Sequence, residues 1–254
     1  MKSTGLLKQL QSVRCGGPLI ERIVRRDQPG SLQAAYRIAA ALTAGAPLAG
    51  YKVGATNARG RALLRLKQPF YGRILQDTLY RSPATLRLGP HGYEVEMELG
   101  CELGTALPAR SKRYTRAEVA ASVRKIVPLI ELNAPSFRKP MEVGGLCLIA
   151  DNGVNVGAII GTPGSRDLYT IGEARATLSL NGVAVQQGQP ACAPDDPLSA
   201  LIWLANALSK HDIGLQEGQI VATGALAPPL AIREDCTLEA DFGALGGVHV
   251  TFVR

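Results

Sequence analysis

The sequence contains few cysteines and histidines, and their spacing excludes the common metal and disulfide arrangements. The five cysteines are scattered along 254 residues and none forms a C-x-x-C pair, which argues against a disulfide framework and a zinc site. The three histidines, His91, His211 and His249, are far apart and show no metal-ligand spacing. Cysteine and histidine therefore offer no lead to the chemistry of this chain.

Aromatic residues and long hydrophobic runs are also scarce. Aromatic residues make up only 5% of the chain, and no apolar run approaches the length needed to span a bilayer. The net charge of +7 is not accompanied by a nucleic-acid-binding motif, so we interpret most of the excess as solvated surface. Polar residues interrupt the apolar residues near the N-terminus, so no signal peptide is recognised. We expect a cytoplasmic protein that binds neither nucleic acid nor membrane.

Three familiar catalytic and nucleotide-binding motifs are missing. The glycine-rich segments 144–145 and 153–157 match neither a P-loop nor the G-x-G-x-x-G fingerprint. No G-x-S-x-G segment marks the nucleophile of a serine hydrolase. The hydrophobic fraction of 46% and the charged fraction of 19% are nevertheless those of a globular protein.

The best chemical lead is the segment 93–99, where acidic and apolar residues alternate. A strand places successive side chains on opposite faces, so Glu94, Glu96 and Glu98 would share one face. Carboxylates held side by side repel one another unless a cation or solvent screens them. A hard cation such as Mg²⁺ suits such a pair. The alternative is a half-buried strand with a solvated polar face, which has the same alternation.

Three further positions combine a polar residue with an unusual setting. Glu131 is the only charge in the apolar run 126–133, where burial is costly unless the carboxylate is paired or binds metal. Lys52 lies between two glycines and is either a surface lysine or a ligand for a substrate carboxylate. Asp151 and Asn152 follow an apolar segment, and most such pairs only form turns.

The pattern of apolar residues, caps and turns predicts both helices and strands. Ser31 can cap a helix, Thr115 and Glu118 form a capping box, and Asn181-Gly182 suits a type I′ hairpin turn. The segments predicted as helices are 1 to about 45, especially 31–43, then 115–126, and a helix that begins at 195–197 and ends near 214. Those predicted as strands are 50–54, 93–104, 127–132, 146–150, 176–185 as a hairpin, 219–223, 236–242 and 248–253. We interpret 68–72 as turn-rich and 85–91 as a connection between two lobes.

The order of short motifs from about Ala35 to Val253 provides a more specific indication. The pieces are Ala35-Tyr36, GYKVG at 50–54, QP at 68–69, YG at 71–72, EVE at 94–96, PLIE at 128–131, IADN at 149–152, PLSALIWLAN at 197–206, GAL at 224–226 and EADFGALG at 239–246. In this order they resemble the 2-keto-4-pentenoate hydratase and 4-oxalocrotonate decarboxylase family of the fumarylacetoacetate hydrolase superfamily.

The resemblance implies an α+β fold with a mixed β-sheet roll as the catalytic domain. We expect this roll to span residues 85–254 and a smaller helical N-terminal lobe to span residues 1–84. The resemblance also implies a homo-oligomer and an Mg²⁺ or Mn²⁺ ion held by Glu94, Glu96 and Glu131. Glu98 is expected on the same strand face but outside the metal's ligand set, because it lies one further step along the strand.

The resemblance further implies a lyase of aromatic-compound catabolism. The substrate would be a short 2-hydroxydienoate or 2-oxo acid such as 2-keto-4-pentenoate, and the reaction would be hydration or decarboxylation. The metal would chelate the 1-carboxylate and 2-oxo oxygens and stabilise the enolate. The residues implied are Lys52 and Asp77 in catalysis and Asp151, Asn152 and Thr223 in substrate binding.

Departures from the family pattern leave alternatives open. The family usually has an acidic-serine-arginine run after Glu131, where this chain has 133–136 as NAPS; it usually has two serines where Val154 and Asn155 stand. Glu98 is an extra carboxylate. A catalytically weakened metal-binding or basic-surface binding protein is one alternative. Hydrolysis of a C–C bond in an acylpyruvate is another, although the N-terminal lobe offers no obvious histidine for its base.

Overall fold

The computed structural model describes residues 5–167, 175–189 and 197–254, and its described part contains two mixed β-sheets and six α-helices. The helices are α1 (Gly5–Arg14), α2 (Leu32–Leu42), α3 (Ala58–Leu63), α4 (Arg116–Ser122), α5 (Gly145–Ala150) and α6 (Pro197–Ser209). The strands are β1 (Leu48–Gly54), β2 (Phe70–Leu75), β3 (Leu79–Arg81), β4 (Ala84–Arg87), β5 (Tyr93–Leu103), β6 (Val123–Asn133), β7 (Asn155–Ile160), β8 (Thr162–Pro163), β9 (Ala176–Leu180), β10 (Val183–Gly188), β11 (Ile220–Ala225), β12 (Leu230–Ile232), β13 (Cys236–Asp241) and β14 (Gly246–Val253). The expected α+β class is confirmed.

The larger sheet has eight strands and carries the acidic segment at its centre. Its order is β2-β1-β11-β5-β6-β7-β3, and β12 pairs with the first part of β5. The pairings of β1 with β11 and of β3 with β7 are parallel, and the others in this order are antiparallel. The predicted acidic strand is therefore present, and it contacts β6 along its whole length.

The smaller sheet has six strands and packs its apolar face into the same core. Its order is β10-β9-β13-β14-β4, and β8 pairs with β14. The hairpin of β9 and β10 turns at Asn181 and Gly182, both with positive φ as a type I′ turn requires. Alternate residues of β5, among them Val95, Met97 and Leu99, are almost fully buried in the main core. The acidic side chains of β5 therefore lie on the opposite face of the strand.

Local caps explain where two of the helices begin. The Ser31 hydroxyl accepts the backbone N–H of Ala34 at the start of α2. Thr115 and Glu118 form the expected capping box at the start of α4. The predicted cap of α6 at 195–196 lies outside the described residues, while the helix itself is present from Pro197.

Several predicted boundaries and elements are corrected. The helix expected to reach Ile126 ends at Ser122, because 123–126 pair with β5 and extend β6. The segment 146–150, predicted as a strand, belongs to the short helix α5, which packs against α2. The segment 68–72, predicted as a turn, overlaps the strand β2, and the segment 85–91, predicted as a connection, overlaps the strand β4. The helix expected to end near 214 ends at Ser209.

The first 84 residues combine helices with strands of the larger sheet. Helices α1, α2 and α3 lie in this segment, but β1, β2 and β3 pair within the same sheet as β5 and β6. The predicted division into domains at residue 84 remains a prediction. Among the described helices, none has both the length and the apolar character needed to cross a membrane.

Candidate active site

Three carboxylates converge where β5 and β6 lie side by side. The antiparallel register places Glu96 opposite Glu131, and Glu98 follows two residues later on the same face of β5. One carboxylate oxygen from each residue lies within 4.8 Å of those of the other two. These three residues are named the carboxylate cluster below. Glu98 is 2% exposed and Glu131 is 0% exposed, whereas Glu96 is half-buried, so two of the three carboxylates are removed from bulk water.

An irregularity in β11 fixes the position of Glu98. The pairing of β11 with β5 shifts between Ala222 and Ala225, and Gly224 within this shift has a φ of 116°. In this conformation the Gly224 N–H donates to Glu98 Oε2 at 2.8 Å. A Cβ at Gly224 would lie 2.6 Å from Thr56 Oγ1, so both the backbone angle and the close approach require glycine.

Two asparagines orient the other two carboxylates. Asn133 Nδ2 donates to Glu96 Oε2 at 3.1 Å, and Asn155 Nδ2 donates to Glu131 Oε1 at 2.8 Å. Asn133 Oδ1 is buried and has no hydrogen-bond partner among the described residues. Both asparagines stand at positions where the sequence departs from the family pattern, which was the available signal for them, but their contact with the cluster depends on strand register.

Lys52 of β1 contributes the positive charge nearest to the carboxylate cluster. Its Nζ lies 3.2 Å from Glu131 Oε1 and 3.3 Å from Oε2, and the residue is 5% exposed. The ammonium group also lies 5.3 Å from the centre of the Phe70 ring. Gly153, with a φ of 64°, allows this packing, since a Cβ there would lie 2.9 Å from Lys52 Cε.

Burial and mutual repulsion keep protons on the cluster. Burial, then the charge of Glu131, raise the pKa of Glu96 to about 7, although Lys52 opposes the shift. Burial and the charges of Glu131 and Glu96 raise the pKa of Glu98 well above its ordinary value. Burial lowers the pKa of Lys52, but the three carboxylates together raise it above its ordinary value. Lys52 is therefore a protonated cation at neutral pH.

The donor set of the cluster suits a hard divalent cation. Three converging carboxylates provide oxygen ligands only, as Mg²⁺ and Mn²⁺ prefer. Burial and, after it, repulsion from neighbouring carboxylates raise the pKa values of Glu96 and Glu98, and a divalent cation would relieve that repulsion. The buried Asn133 Oδ1 beside Glu96 is a further free acceptor. The residues present therefore fit the metal that the resemblance implies.

A cavity of about 440 Å³ opens beside the carboxylate cluster. Lys52, Glu96 and Glu98 lie on one side of it, together with Asn133. The rest of the lining is predominantly apolar and includes side chains of α3, of α5 and of the segment that follows β6. A small acid placed here would contact both the carboxylate cluster and Lys52.

Glu94 and Glu98 lie differently from what the expected metal site requires. Glu94 lines the cavity but forms an ion pair with Arg233 and is not a member of the carboxylate cluster. Glu98, expected outside the ligand set, lies within the cluster instead. The physical reason is the bulge of β11: Gly224 draws Glu98 inward, whereas Glu94 is opposite β12, where Arg233 follows.

The residues expected to bind substrate have side chains engaged elsewhere. Asp151 is fully buried, pairs with Arg14 at 2.8 Å and accepts hydrogen bonds from Ser136. Asn152 bonds the backbone of Arg73 through both Oδ1 and Nδ2, and Thr223 donates to the carbonyl of Leu99. None of the three lines the cavity beside the carboxylate cluster.

Asp77 is also remote from the carboxylate cluster. It lies in a short 3₁₀ turn between β2 and β3 and lines a different cavity, with Arg14 and Arg73. Of the two expected catalytic residues, the structure thus brings only Lys52 to the carboxylates. Lys52 lies within β1, whereas Asp77 lies in the turn between β2 and β3. The order of these residues in the sequence does not show which of them reaches the carboxylates.

Comparisons with known proteins agree with this architecture. The chain is 30% identical over 224 residues to 2-oxo-hept-4-ene-1,7-dioate hydratase of Escherichia coli, covering 82% of this chain and 80% of that protein. It is 27% identical over 216 residues to 2-keto-4-pentenoate hydratase of Paraburkholderia xenovorans strain LB400, covering 83% and 78%. A search of protein-family models finds no match.

A solved structure shares the fold over nearly the whole chain. It is 4-oxalocrotonate decarboxylase from Pseudomonas putida G7, complexed with magnesium and adipate. The TM-score is 0.86 at 19% identity, and the match covers 99% of this chain and 97% of that one. At this identity the likeness concerns the fold, into which the carboxylate cluster and its cavity are built.

Proposed function

The chain belongs to the 2-keto-4-pentenoate hydratase and 4-oxalocrotonate decarboxylase family, and we propose that it is a divalent-metal-dependent lyase that hydrates a short 2-hydroxydienoate or 2-oxo acid. One observation carries the proposal. Three carboxylates, of which Glu98 and Glu131 are buried, converge with a buried lysine beside a cavity large enough for such an acid.

We assign the metal to Glu96, Glu98 and Glu131. The resemblance pointed to Mg²⁺ or Mn²⁺, and the revised set keeps two of the three residues expected from the sequence. When bound, the ion would act as a Lewis acid that stabilises negative charge on adjacent carboxylate and 2-oxo oxygens. Asn133 and Asn155 hold two of the carboxylates in orientation by hydrogen bonds from their amide groups.

Lys52 acts on the substrate in this proposal. It is protonated, lines the cavity and lies beside Glu131, so its ammonium group can face a substrate carboxylate or give a proton to the substrate. Hydration adds the hydrogen and hydroxyl of one water across a double bond, which requires a proton donor held at the substrate. Phe70 lies beside this lysine and excludes bulk water from one side of it.

Hydration is favoured over C–C hydrolysis by the lining of the cavity. Acylpyruvate hydrolysis commonly uses a histidine–glutamate pair to activate water, and none of the three histidines lines the cavity. The names of the curated relatives also describe hydratases. Decarboxylation of a 2-oxo acid remains the second candidate, because it would use the same metal and the same enolate-stabilising cluster.

The test is magnesium-dependent turnover of 2-hydroxypenta-2,4-dienoate, measured as the loss of the compound's ultraviolet absorbance. Turnover should disappear with EDTA and return with Mg²⁺. Lys52→Met should reduce kcat by about 10²- to 10⁴-fold, the range typical of a proton-transferring group, and change metal affinity much less. Lys125→Met is the matched control, since Lys125 pairs with Glu102 and does not line the cavity. Folded, metal-loaded protein without turnover on this compound or on 4-oxalocrotonate would contradict the proposal.

Two further properties belong to the proposal. We propose a homo-oligomer in the cytoplasm whose partners are small anionic 2-oxo acids rather than nucleic acid or membrane. The resemblance to the family supports the homo-oligomer, and the lack of nucleic-acid motifs and of long apolar runs argues against nucleic acid and membrane as partners. Analytical ultracentrifugation of the purified protein would give the oligomeric state, and a monomer at micromolar concentration would contradict that part.

A further inference from the structure

We propose that the substrate tail, opposite the carboxylate and 2-oxo groups, is apolar and uncharged and extends beyond five carbons. The protein would then prefer longer 2-oxo monocarboxylates to dicarboxylates of equal length. This inference rests on the proposed function and specifies its substrate class, which the relatives' names leave open between a monoacid and a 1,7-dioate.

Part of the cavity lining, called the apolar wall below, consists of hydrophobic side chains. Leu64, Leu148 and Val154 line it, together with Pro135 and Pro229. Leu148 is 5% exposed, so this wall is a fixed part of the protein's packing and not a loose surface. Side chains of this kind stabilise a ligand by removing its methylene groups from water.

The volume of the cavity exceeds what a five-carbon acid needs. At about 440 Å³ it falls in the range of about 300–1,000 Å³ that holds drug-sized ligands. A five-carbon acid held by the carboxylate cluster and Lys52 would leave the apolar wall uncovered. A tail of several further carbons would reach that wall.

The rim of the cavity also exposes apolar side chains. Leu63 of α3 is 60% exposed and Met141 is 51% exposed, and both line this cavity. They are two of the five large hydrophobic residues that the described part of the chain exposes. Exposed apolar side chains that meet at a cavity mouth are typical of a ligand-binding surface. An apolar tail would cover both.

Positive charge for a second carboxylate is missing from the lining. Among the described residues that line the cavity, Lys52 is the only one with a cationic side chain, and it is already paired with Glu131. Outside the described residues, the segments 168–174 and 190–196 contain no lysine or arginine, and Lys2 is the one basic side chain there. A second carboxylate in the apolar part would lose its water without gaining a cationic partner.

The charged groups next to the lining are directed elsewhere. Arg61 donates to the backbone carbonyls of Ala55 and Thr56. Arg233 forms its ion pair with Glu94, which itself lines the cavity and adds a negative charge there. A dicarboxylate would therefore meet a carboxylate of the protein, and the uncharged tail is the better match.

The experiment compares saturated 2-oxo acids as ligands of the magnesium-loaded protein, with calorimetry as the readout. The series 2-oxopentanoate, 2-oxohexanoate and 2-oxoheptanoate should gain up to about fourfold in affinity for each methylene. 2-Oxoheptanedioate should bind at least tenfold more weakly than 2-oxoheptanoate, because its second carboxylate is buried without a partner. Equal or tighter binding of the dioate, or no gain with tail length, would overturn the inference while leaving the proposed function intact.

Variants that introduce a positive charge at the rim test whether the cavity lining sets the preference for the monoacid over the dioate. Met141→Arg should narrow or reverse the preference for the monoacid over the dioate, and Leu63→Arg should act in the same direction. Both positions are exposed, so folding is not at risk. Val183→Arg is the matched control, since Val183 is 65% exposed and does not line the cavity. An unchanged preference in both rim variants would place the tail elsewhere, and failure of every 2-oxo acid to bind would refute the proposed function itself.

Discussion

Replacing Glu98 with glutamine should have opposite effects on the metal-free and the magnesium-bound protein. In the metal-free protein the buried Glu98 carboxylate faces the charges of Glu131 and Glu96. Glutamine cannot ionise, and it keeps an oxygen that can accept the Gly224 N–H. The free energy of unfolding in EDTA should therefore stay the same or rise, by about 1 kcal/mol at the effective dielectric constant of such sites.

The magnesium-bound protein should show the reverse. At a Mg²⁺ concentration 100 times the Kd, wild-type protein gains about 2.7 kcal/mol of stability from binding. For a chain of this size that corresponds to an increase in Tm of about 5 to 10 °C. Glu98→Gln removes one of three charged ligands, so most of this increase should disappear over the same range of Mg²⁺ concentration.

Glu94→Gln is the matched control for this experiment. Like Glu98→Gln, it replaces a glutamate of β5, here the one two positions before Glu96. The side chain that it replaces forms an ion pair with Arg233 at the protein surface. Such a pair contributes at most about 1 kcal/mol to stability, and its loss should leave the Mg²⁺ response intact. The assay is thermal unfolding with Mg²⁺ titrated from an EDTA baseline. Loss of the response in Glu94→Gln with its retention in Glu98→Gln would refute the assignment of the carboxylate cluster.

Two further predictions concern charge in the metal-free protein. The pKa of Glu96 in the folded protein is about 7, above its ordinary value of 4.5, so its stabilising contribution is complete below 4.5 and is lost as pH rises through 7. Urea unfolding in EDTA should thus show a free energy of unfolding that is about 1 kcal/mol lower at pH 8 than at pH 6. A higher free energy of unfolding at pH 8 would contradict this prediction. Arg14→Met should cost roughly 3 kcal/mol by leaving the buried Asp151 without its cation. The Mg²⁺-induced increase in Tm should remain in Arg14→Met, and its loss would show that Asp151 serves the metal site.

Much of the fold could be predicted because its signals are local. Alternation identified β5, a capping box identified the start of α4, and Asn181-Gly182 identified the hairpin of β9 and β10. The segment 146–150 shows where this reasoning ends. Five apolar residues can be a buried strand or a buried helix, and only the packing of α5 against α2 decides between them.

The choice between Glu94 and Glu98 illustrates a second limit. A strand repeats every two residues, so Glu94–Glu96 and Glu96–Glu98 are equivalent pairs in the sequence. The pairing with β6 centres the site on Glu96, which lies opposite Glu131. The bulge in β11 then selects Glu98 through Gly224. Both are contacts between segments far apart in the chain, so alternation alone could not distinguish the two pairs.

The departures from the family pattern at Asn133 and Asn155 are compatible with a working metal site, because they keep the net charge of the carboxylate cluster negative. Asn133 and Asn155 orient Glu96 and Glu131 with neutral amide groups. The cluster of three carboxylates therefore has one buried cation beside it, Lys52, and retains two negative charges when fully ionised. A divalent cation balances this charge, whereas a second basic side chain in place of either asparagine would compete with it. Where the family usually has an acidic residue after Glu131 and a serine at the position of Asn155, this chain has neutral amides, so these two departures add no positive charge that would compete with the metal.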